Sequence, residues 1–506
     1  MEKHYQTRTI GSAVTVQPRT PSLVRRAYGA FLGRLFAPVD IASLVFFRIA
    51  FGVLMLWEVW MHFSYGWIQE RYINPAYHFT YYGFGWVQPW PGIGMYLHFL
   101  ALAGLAFCIA FGLWYRVSTV LFFLGFAYVF LLDQAYHLNH FYLIILISFL
   151  LIFVPAHRSF SEDARAHPEI RSETVPAWAL WVLMAQMAIV YFYAGLAKLN
   201  GDWLQGEPMR SRLASSTDFP LVGSLFTEEW VVYLFSYGGL LLDLLVVPFL
   251  LWRRTRLIAF VFALGFHLMN SQLFGIGVFP WLAIAATTLF FPPSWPRRFV
   301  GFLRGLGRDL RWQEEDSERG YEEERQQQEE QQETQGETVP PAAAPTRLQA
   351  RQWVVVSLLG IFLAVQLLVP LRHFLYLGNV NWTQEGHRFA WHMLLRDMQA
   401  KGTFYATDPA SGQTWQIDPS AYLTPRQERS LVRWPDMILQ FSHWVAEDYR
   451  AKGYEQIEVR AEVLASLHGR EPQFLVDPTA NLAEQPRNLT PAPWILPLEE
   501  PLPPPA

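Results

Sequence analysis

The sequence predicts an α-helical polytopic membrane protein of about nine transmembrane helices with a C-terminal α+β soluble domain on the outer side. Three observations carry that expectation. Of 506 residues, 52% are hydrophobic and only 16% are charged, whereas a soluble domain carries about a quarter charged residues. The apolar residues gather into runs, several of them as long as the roughly 17–25 residues of a membrane crossing. Behind the last run the pattern changes to alternating strands and a periodic helix.

Residues 1–40 are polar and basic and read as a cytoplasmic N-terminal segment. The first apolar run is too long for the core of a signal peptide, so no cleavable signal is expected. Apolar runs follow near 41–61, 97–114, 117–132, 141–154, 177–197, 230–251, 257–272, 275–291 and 353–370. The third, fourth, seventh and eighth are short for a full crossing. Broken or re-entrant helices are tolerated only where protein or a water cavity covers the freed backbone. Residues 41–312 are therefore assigned to a membrane bundle holding the active site, and 351–372 to the last transmembrane helix.

Charge orients the runs. The connections 1–40, Arg116, 155–176, 252–256 and 292–312 hold 18 Lys and Arg, and the alternate set, 64–94, 133–140, 198–229 and 273–274, holds 4. Basic connections stay in the cytoplasm. The N-terminus is then cytoplasmic and the C-terminal domain extracytoplasmic: periplasmic in a bacterium, lumenal in a eukaryote.

Residues 313–350 are dominated by Glu, Gln and then Pro, and read as a disordered cytoplasmic linker. Within them, 314–337 hold eleven acidic residues and two arginines, which leaves the rest of a chain of net charge −4 at only +5. A strongly basic nucleic-acid binder is not indicated. Cys108 is the single cysteine, which excludes an internal disulfide framework and any cysteine cluster for zinc or iron–sulfur.

Residues 373–506 read as an extracytoplasmic domain of substrate-binding type, ending in a Pro-rich tail from Pro491. Lys401–Ile417 suggests a hairpin turning at Asp408–Gly412. Residues 424–452 suggest one helix, with Trp434, Met437, Ile438, Phe441 and Trp444 at helical spacing. Ile457–Val463 alternates like a half-buried strand.

Ionisable groups inside apolar runs cost roughly 2.5–3.5 kcal/mol at a helix centre and need a reason to be there. Lys198 ends the fifth run among Tyr191, Phe192, Tyr193 and Trp203. Apolar surroundings disfavour its ammonium, so it can act as a base near neutral pH. The competing reading is a snorkelling lysine or a pair with Asp202. Asp133, His137, Asn139 and His140 suggest either a weak metal site or polar capping of an outer loop. His267 and Asn270, three apart, share a helix face, for a site or for contacts between helices. Arg48 and Asp243 are opposite charges within runs and suggest a buried structural pair. Lys198, Asn139, His140, His267 and Asn270 all fall toward the outer side, as one polar site in an apolar bundle would require.

Several stretches together resemble one family. They are Ser43–Gly52, Phe130–Asp133 leading to Asn139–Leu143, Val190–Leu199 with Asp202 and Trp203, Phe266–Phe274, and Pro293–Arg297. Beyond the linker are Asn381-Trp382-Thr383, Phe389–Met393, Trp415, Trp434 and Phe474–Pro478. In this order, over roughly residues 38–480, the chain is similar to the vitamin K-dependent gamma-glutamyl carboxylases and their bacterial relatives.

That resemblance implies an enzyme of the carbon–carbon lyase class. A lysine deprotonates reduced vitamin K, a phylloquinone or menaquinone hydroquinone. Reaction with O2 on the way to the epoxide generates a strong base, which removes a γ-proton from a peptide glutamate, and the carbanion adds CO2. No metal is implied. Lys198 matches the catalytic lysine, and His140 with Asn139 matches the histidine motif beside it. Tyr191, His267 and Asn270 are expected to bind the quinone. The partners are then a glutamate-containing peptide or protein, a membrane quinone and the bilayer, with no nucleic acid. Ala197 stands where animal members carry a first lysine, and one cysteine excludes the disulfide that joins their two parts. Two other readings stand beside this one: a membrane quinone epoxidase or oxidoreductase without peptide carboxylation, and a non-enzymatic transporter or assembly protein.

Overall fold

The computed structural model describes residues 23–312 and 349–502. The linker expected at 313–350 therefore lies almost wholly outside the described residues, as do residues 1–22 and 503–506. Helix α1 (Leu23–Leu35) leads through strand β1 (Pro38–Asp40) into α2 (Ala42–Ser64), α3 (Gly94–Phe111), α4 (Tyr115–Leu132) and α5 (Asn139–Phe153). A short α6 (Glu162–Ala166) and strand β2 (Thr174–Pro176) precede α7 (Trp178–Ala197). Two short helices, α8 (Gly201–Leu204) and α9 (Met209–Ala214), then lead to α10 (Glu229–Leu251), α11 (Arg256–Phe274), α12 (Phe279–Thr287) and α13 (Trp295–Trp312). After the linker come α14 (Ala350–Leu368) and a short α15 (Val380–Thr383).

Among the described residues, seven helices are long and apolar enough to cross a membrane: α2, α3, α4, α7, α10, α11 and α14 with its continuation to Leu375. The third and seventh apolar runs, expected to be short, are full-length helices of 18 and 19 residues. The fourth and eighth remain short, at Asn139–Phe153 and Phe279–Phe290. At 1.5 Å per residue they reach only about 18–23 Å of a hydrocarbon core about 30 Å thick. The N-terminal part of each lines the cavity described below. The chain is a multi-pass membrane protein.

At one end of the bundle β1 pairs with β2, Val39 opposite Val175. Arg297 at the start of α13 donates to Asp40 at 3.0 Å and also to Glu173. These contacts tie three of the basic connections together.

At the other end sits the C-terminal domain. Strands β3 (Met398–Thr407), β4 (Thr414–Ile417), β5 (Glu458–Leu467) and β6 (Gln473–Phe474) form one antiparallel sheet in the order β4-β3-β5-β6. The hairpin forms as expected, with Asp408 accepting from the backbone of Ala410 and Ser411 in its turn. The alternation also holds: Val459, Ala461, Val463, Ala465 and Leu467 of β5 are all buried. The single helix expected over 424–452 is instead two, α16 (Pro425–Leu431) and α17 (Pro435–Ala451). Pro435 has no N–H to continue a helix and disfavours helical backbone before it, and Trp434 is extended. The sheet and α17 pack around Phe404, Ile438 and Phe441.

The two parts meet through buried polar contacts. Asp202 of α8 receives Arg470 on both oxygens, at 2.7 and 3.0 Å, and His468 Nδ1 at 2.9 Å. Asp133 accepts from Gln427 at 2.7 Å and caps Ala135 at 2.8 Å. Between α4 and α5 Asp133 is therefore a cap and a docking point. Burial alone would raise the Asp202 carboxyl, but the hydrogen bonds from His468 and Arg470 outweigh it and hold it down at about 2. A depressed carboxyl contributes stability above its usual value, lost only as pH falls through the depressed one. The latch is therefore fully engaged at neutral pH. Asp202→Ala should cost about 3 kcal/mol of domain docking, since it strands Arg470. Faster limited proteolysis of the C-terminal domain at pH 7 is the expected readout.

Candidate active site

The site is built where α7, α10, α11 and α12 approach the C-terminal domain. Gly195 sets the distance between α7 and α10. A Cβ there would lie 2.6 Å from Leu244 Cδ2 and 3.1 Å from the Leu244 backbone nitrogen. That close approach lets Lys198, one turn later, reach a neighbour on α10. Its Nζ donates to Asp243 Oδ2 at 2.7 Å and to the Ala194 carbonyl at 3.2 Å, and it sits 5.0 Å from the centre of the Trp203 ring. Both charged side chains are buried. Gly195→Val should push the helices apart and break this pair; a thermal midpoint lowered by several degrees would report it, with overpacking costing about 1–3 kcal/mol.

Two expected pairings are corrected by this contact. Arg48 does not pair with Asp243. It donates instead to the carbonyls of Ala156 at 2.8 Å and Phe160 at 2.5 Å, at the far end of the bundle. Lys198 does not pair with Asp202, which belongs to the docking contact with Arg470 and His468.

Lys198 and Asp243 border a cavity of about 590 Å3 whose walls are largely apolar. Asn139, His140, Tyr191, His267 and Asn270 also line it, so the sequence-derived candidates converge on one space. Tyr191 Oη lies 2.7 Å from His267 Nε2 and 3.4 Å from Thr287 Oγ1. His267 Nδ1 is buried without a partner. Among the described residues, the side chains of His140 and Asn270 hydrogen-bond to no protein atom and are left to face the cavity. Asn139 Nδ2 donates to the His392 carbonyl at 2.9 Å.

That last bond marks what the sequence reading did not assign. His392, Met393 and Leu394 of the C-terminal domain close the cavity on one side. Their segment holds Phe389, Trp391 and Leu394 at φ of 64°, 60° and 58°, a left-handed backbone that bulky residues adopt only when packing enforces it. Trp391 stacks on Tyr142 at 5.0 Å, and Phe389 meets the same ring edge-on at 4.9 Å. Both ring nitrogens of His392 are buried without a partner. Burial, reinforced by the nearby charges of His373, Lys198 and Arg396, pushes its imidazole down to about 3. It is neutral at pH 7, with one nitrogen to donate and one to accept.

The opposite wall faces the lipid side of the bundle. Leu234 of α10 and Val261 and Phe262 of α11 line the cavity and are exposed on the helix surface. Gly238 and Gly265 also line it, and a Cβ added to either would meet nothing within 4 Å. A lipid-soluble molecule can therefore approach sideways, between α10 and α11.

Fold and site together define a membrane bundle with a buried lysine–aspartate pair, closed by a second domain. Residues 36–295 match the HTTM domain, and residues 351–501 match the lumenal domain of vitamin K-dependent gamma-carboxylase. The chain belongs to the vitamin K-dependent gamma-carboxylase family. No solved structure matches the chain.

Proposed function

We infer that the protein is an integral-membrane gamma-glutamyl carboxylase, which uses reduced vitamin K and O2 to remove a γ-proton from peptide glutamate and adds CO2. The observation that carries this reading is the Lys198–Asp243 pair inside an apolar cavity bounded by both parts of the chain. The residues present suit a reduced naphthoquinone. The cavity is roomy and apolar, opens toward lipid, is lined by His140 and Asn270, and offers unpartnered ring nitrogens of His267 and His392. When bound, the reduced quinone reacts with O2 and supplies the base strong enough for the γ-proton.

The chain's own residues prepare that event. At 2.7 Å from Lys198 Nζ, Asp243 Oδ2 is placed to take up a proton from it. The free amine then accepts a hydroxyl proton at Nζ. His267, held by Tyr191, whose hydroxyl also meets Thr287, together with His140 and Asn270 orients the oxygens of the ring system. The segment from Trp391 to Leu394 excludes water, which a strong base requires. On this reading the basic connections are cytoplasmic and the C-terminal domain is extracytoplasmic, where a polypeptide meets it.

The test uses the full chain in nanodiscs with reduced vitamin K, O2, a glutamate-containing peptide and labelled bicarbonate. Acid-stable label in the peptide and quinone epoxide should appear together. Epoxide without label would favour a quinone epoxidase. Neither product, from demonstrably folded protein, would contradict the assignment.

A further inference from the structure

We propose that a second cavity, in the C-terminal domain, binds a carboxylate side chain of the polypeptide substrate other than the one that reacts, and that Arg388 is its ligand. The inference rests on the peptide-carboxylating reading above. The cavity measures about 310 Å3 and is lined by Tyr81 and Gln134 from the bundle side and by Arg372, Arg388, Asp436 and Arg487 from the domain. It is separate from the reaction cavity. Phe389 faces the one and His392 to Leu394 face the other, so the segment between them is a shared wall.

Arg388 is the unusual feature of this space. Its side chain is 10% exposed, yet Nε and Nη2 are buried with no hydrogen-bond partner. Its Nη1 lies 3.9 Å from Asp436 Oδ2, too far for a hydrogen bond. Asp436 is already taken. Arg487 engages both its oxygens at 2.8 and 3.1 Å, Gln134 donates at 2.6 Å and Gln440 at 3.0 Å. The face of the Arg388 guanidinium lies 4.0 Å from the centre of the Trp434 ring, which fixes its plane. Arg372 is likewise short of partners, with Nε buried and free while Nη2 donates to the Arg388 carbonyl at 2.7 Å.

Charge points to an anion. Three guanidinium groups line the cavity with two carboxylates, Asp436 and Glu385, and Glu385 is turned to the Ala492 backbone at 2.9 Å. A buried cation without a full partner is costly. Two free N–H groups on a fixed plane match the fork of a carboxylate. The source follows from the neighbouring site. In the reaction cavity Asp243 already neutralises Lys198, so a peptide bringing several acidic side chains finds its uncompensated positive charge at Arg388. Arg388 and His392 are four residues apart, which bounds their separation at about 14 Å. Two side chains of one peptide, a few residues apart, span that distance.

The test needs no quinone. The full chain in phosphatidylcholine nanodiscs is titrated with a blocked, fluorescent peptide carrying two glutamates separated by three alanines, and with its single-glutamate and double-glutamine counterparts. The two-glutamate peptide should bind more tightly than the single-glutamate one. Arg388→Gln should weaken it by about tenfold or more, the scale of a lost charge-assisted hydrogen bond, and leave the single-glutamate peptide less affected. Arg372→Gln, at a partly buried residue, should weaken it in the same sense, and an unchanged thermal midpoint in that variant separates lost binding from lost folding. Equal binding of the three peptides, or no loss in either folded variant, overturns the proposal. So does abolition of the preference by phosphatidylglycerol in the nanodisc, which would assign the pocket to a lipid phosphate. Peptide preference without carboxylation would leave this site standing and sink the carboxylase reading. Carboxylation of an acidic peptide by Arg388→Gln at unchanged KM would do the reverse.

Discussion

Lys198→Met is expected to lower peptide carboxylation by about 10²–10⁴-fold, the usual contribution of a positioned acid or base. Methionine keeps the unbranched stem that lies beside Trp203 but cannot take a proton. The loss should appear in the maximal rate at saturating reduced quinone and peptide. Initial rates of label incorporation in nanodiscs measure it, and the thermal midpoint checks that the protein is still folded. Retention of more than a tenth of the rate would remove Lys198 from the chemistry.

The second large effect belongs to Asp243. Asp243→Leu leaves a buried ammonium with only the Ala194 carbonyl at 3.2 Å. Breaking a buried pair by removing one partner costs about 3–5 kcal/mol. The thermal midpoint should fall accordingly, and carboxylation should fall with it. In the double variant Lys198→Met/Asp243→Leu no charge is stranded, so most of the stability should return while activity stays lost. That pattern separates a pair needed for chemistry from one that only braces the bundle. If the double variant recovered activity, or if Asp243→Leu were as stable as wild type, the pair would not be the coupled unit described here.

What the sequence conveyed and what it withheld have physical causes. The long helices were legible because hydrophobic runs must match the membrane, and β5 was legible because its alternation is regular. The break at Pro435 was available in principle, since proline cannot continue a helix, but the apolar spacing across it masked the boundary. Lys198, His140, His267 and Asn270 stood out as polar groups inside apolar runs, and the structure brings them to one cavity. The partner of Lys198 did not stand out. Asp243 lies 45 residues away, and the contact depends on the approach of α7 to α10 at Gly195. Charge alone suggested Arg48 as the partner, and the fold satisfies Arg48 with backbone carbonyls instead. His392 was visible as part of a motif, but nothing in the sequence marks Trp391 for a left-handed backbone or places His392 on the cavity wall.

These points also explain why the C-terminal domain is more than an appendage. It contributes one wall of the cavity that Lys198 borders, through residues held by aromatic packing on Tyr142, and it is fastened beside the lysine by Asp202. With a single cysteine, that fastening is non-covalent: ion pairs, hydrogen bonds and apolar packing such as Trp203 with Leu395.

The most direct measurement is tritium release from a peptide labelled at the glutamate γ-carbon, with the full chain in nanodiscs. Release that requires reduced vitamin K and O2 in wild type, and that disappears in folded Lys198→Met, is the result expected of a cavity that generates a base for the γ-proton. Release that persists in that variant, or that is absent from folded wild type supplied with both co-substrates, would contradict it.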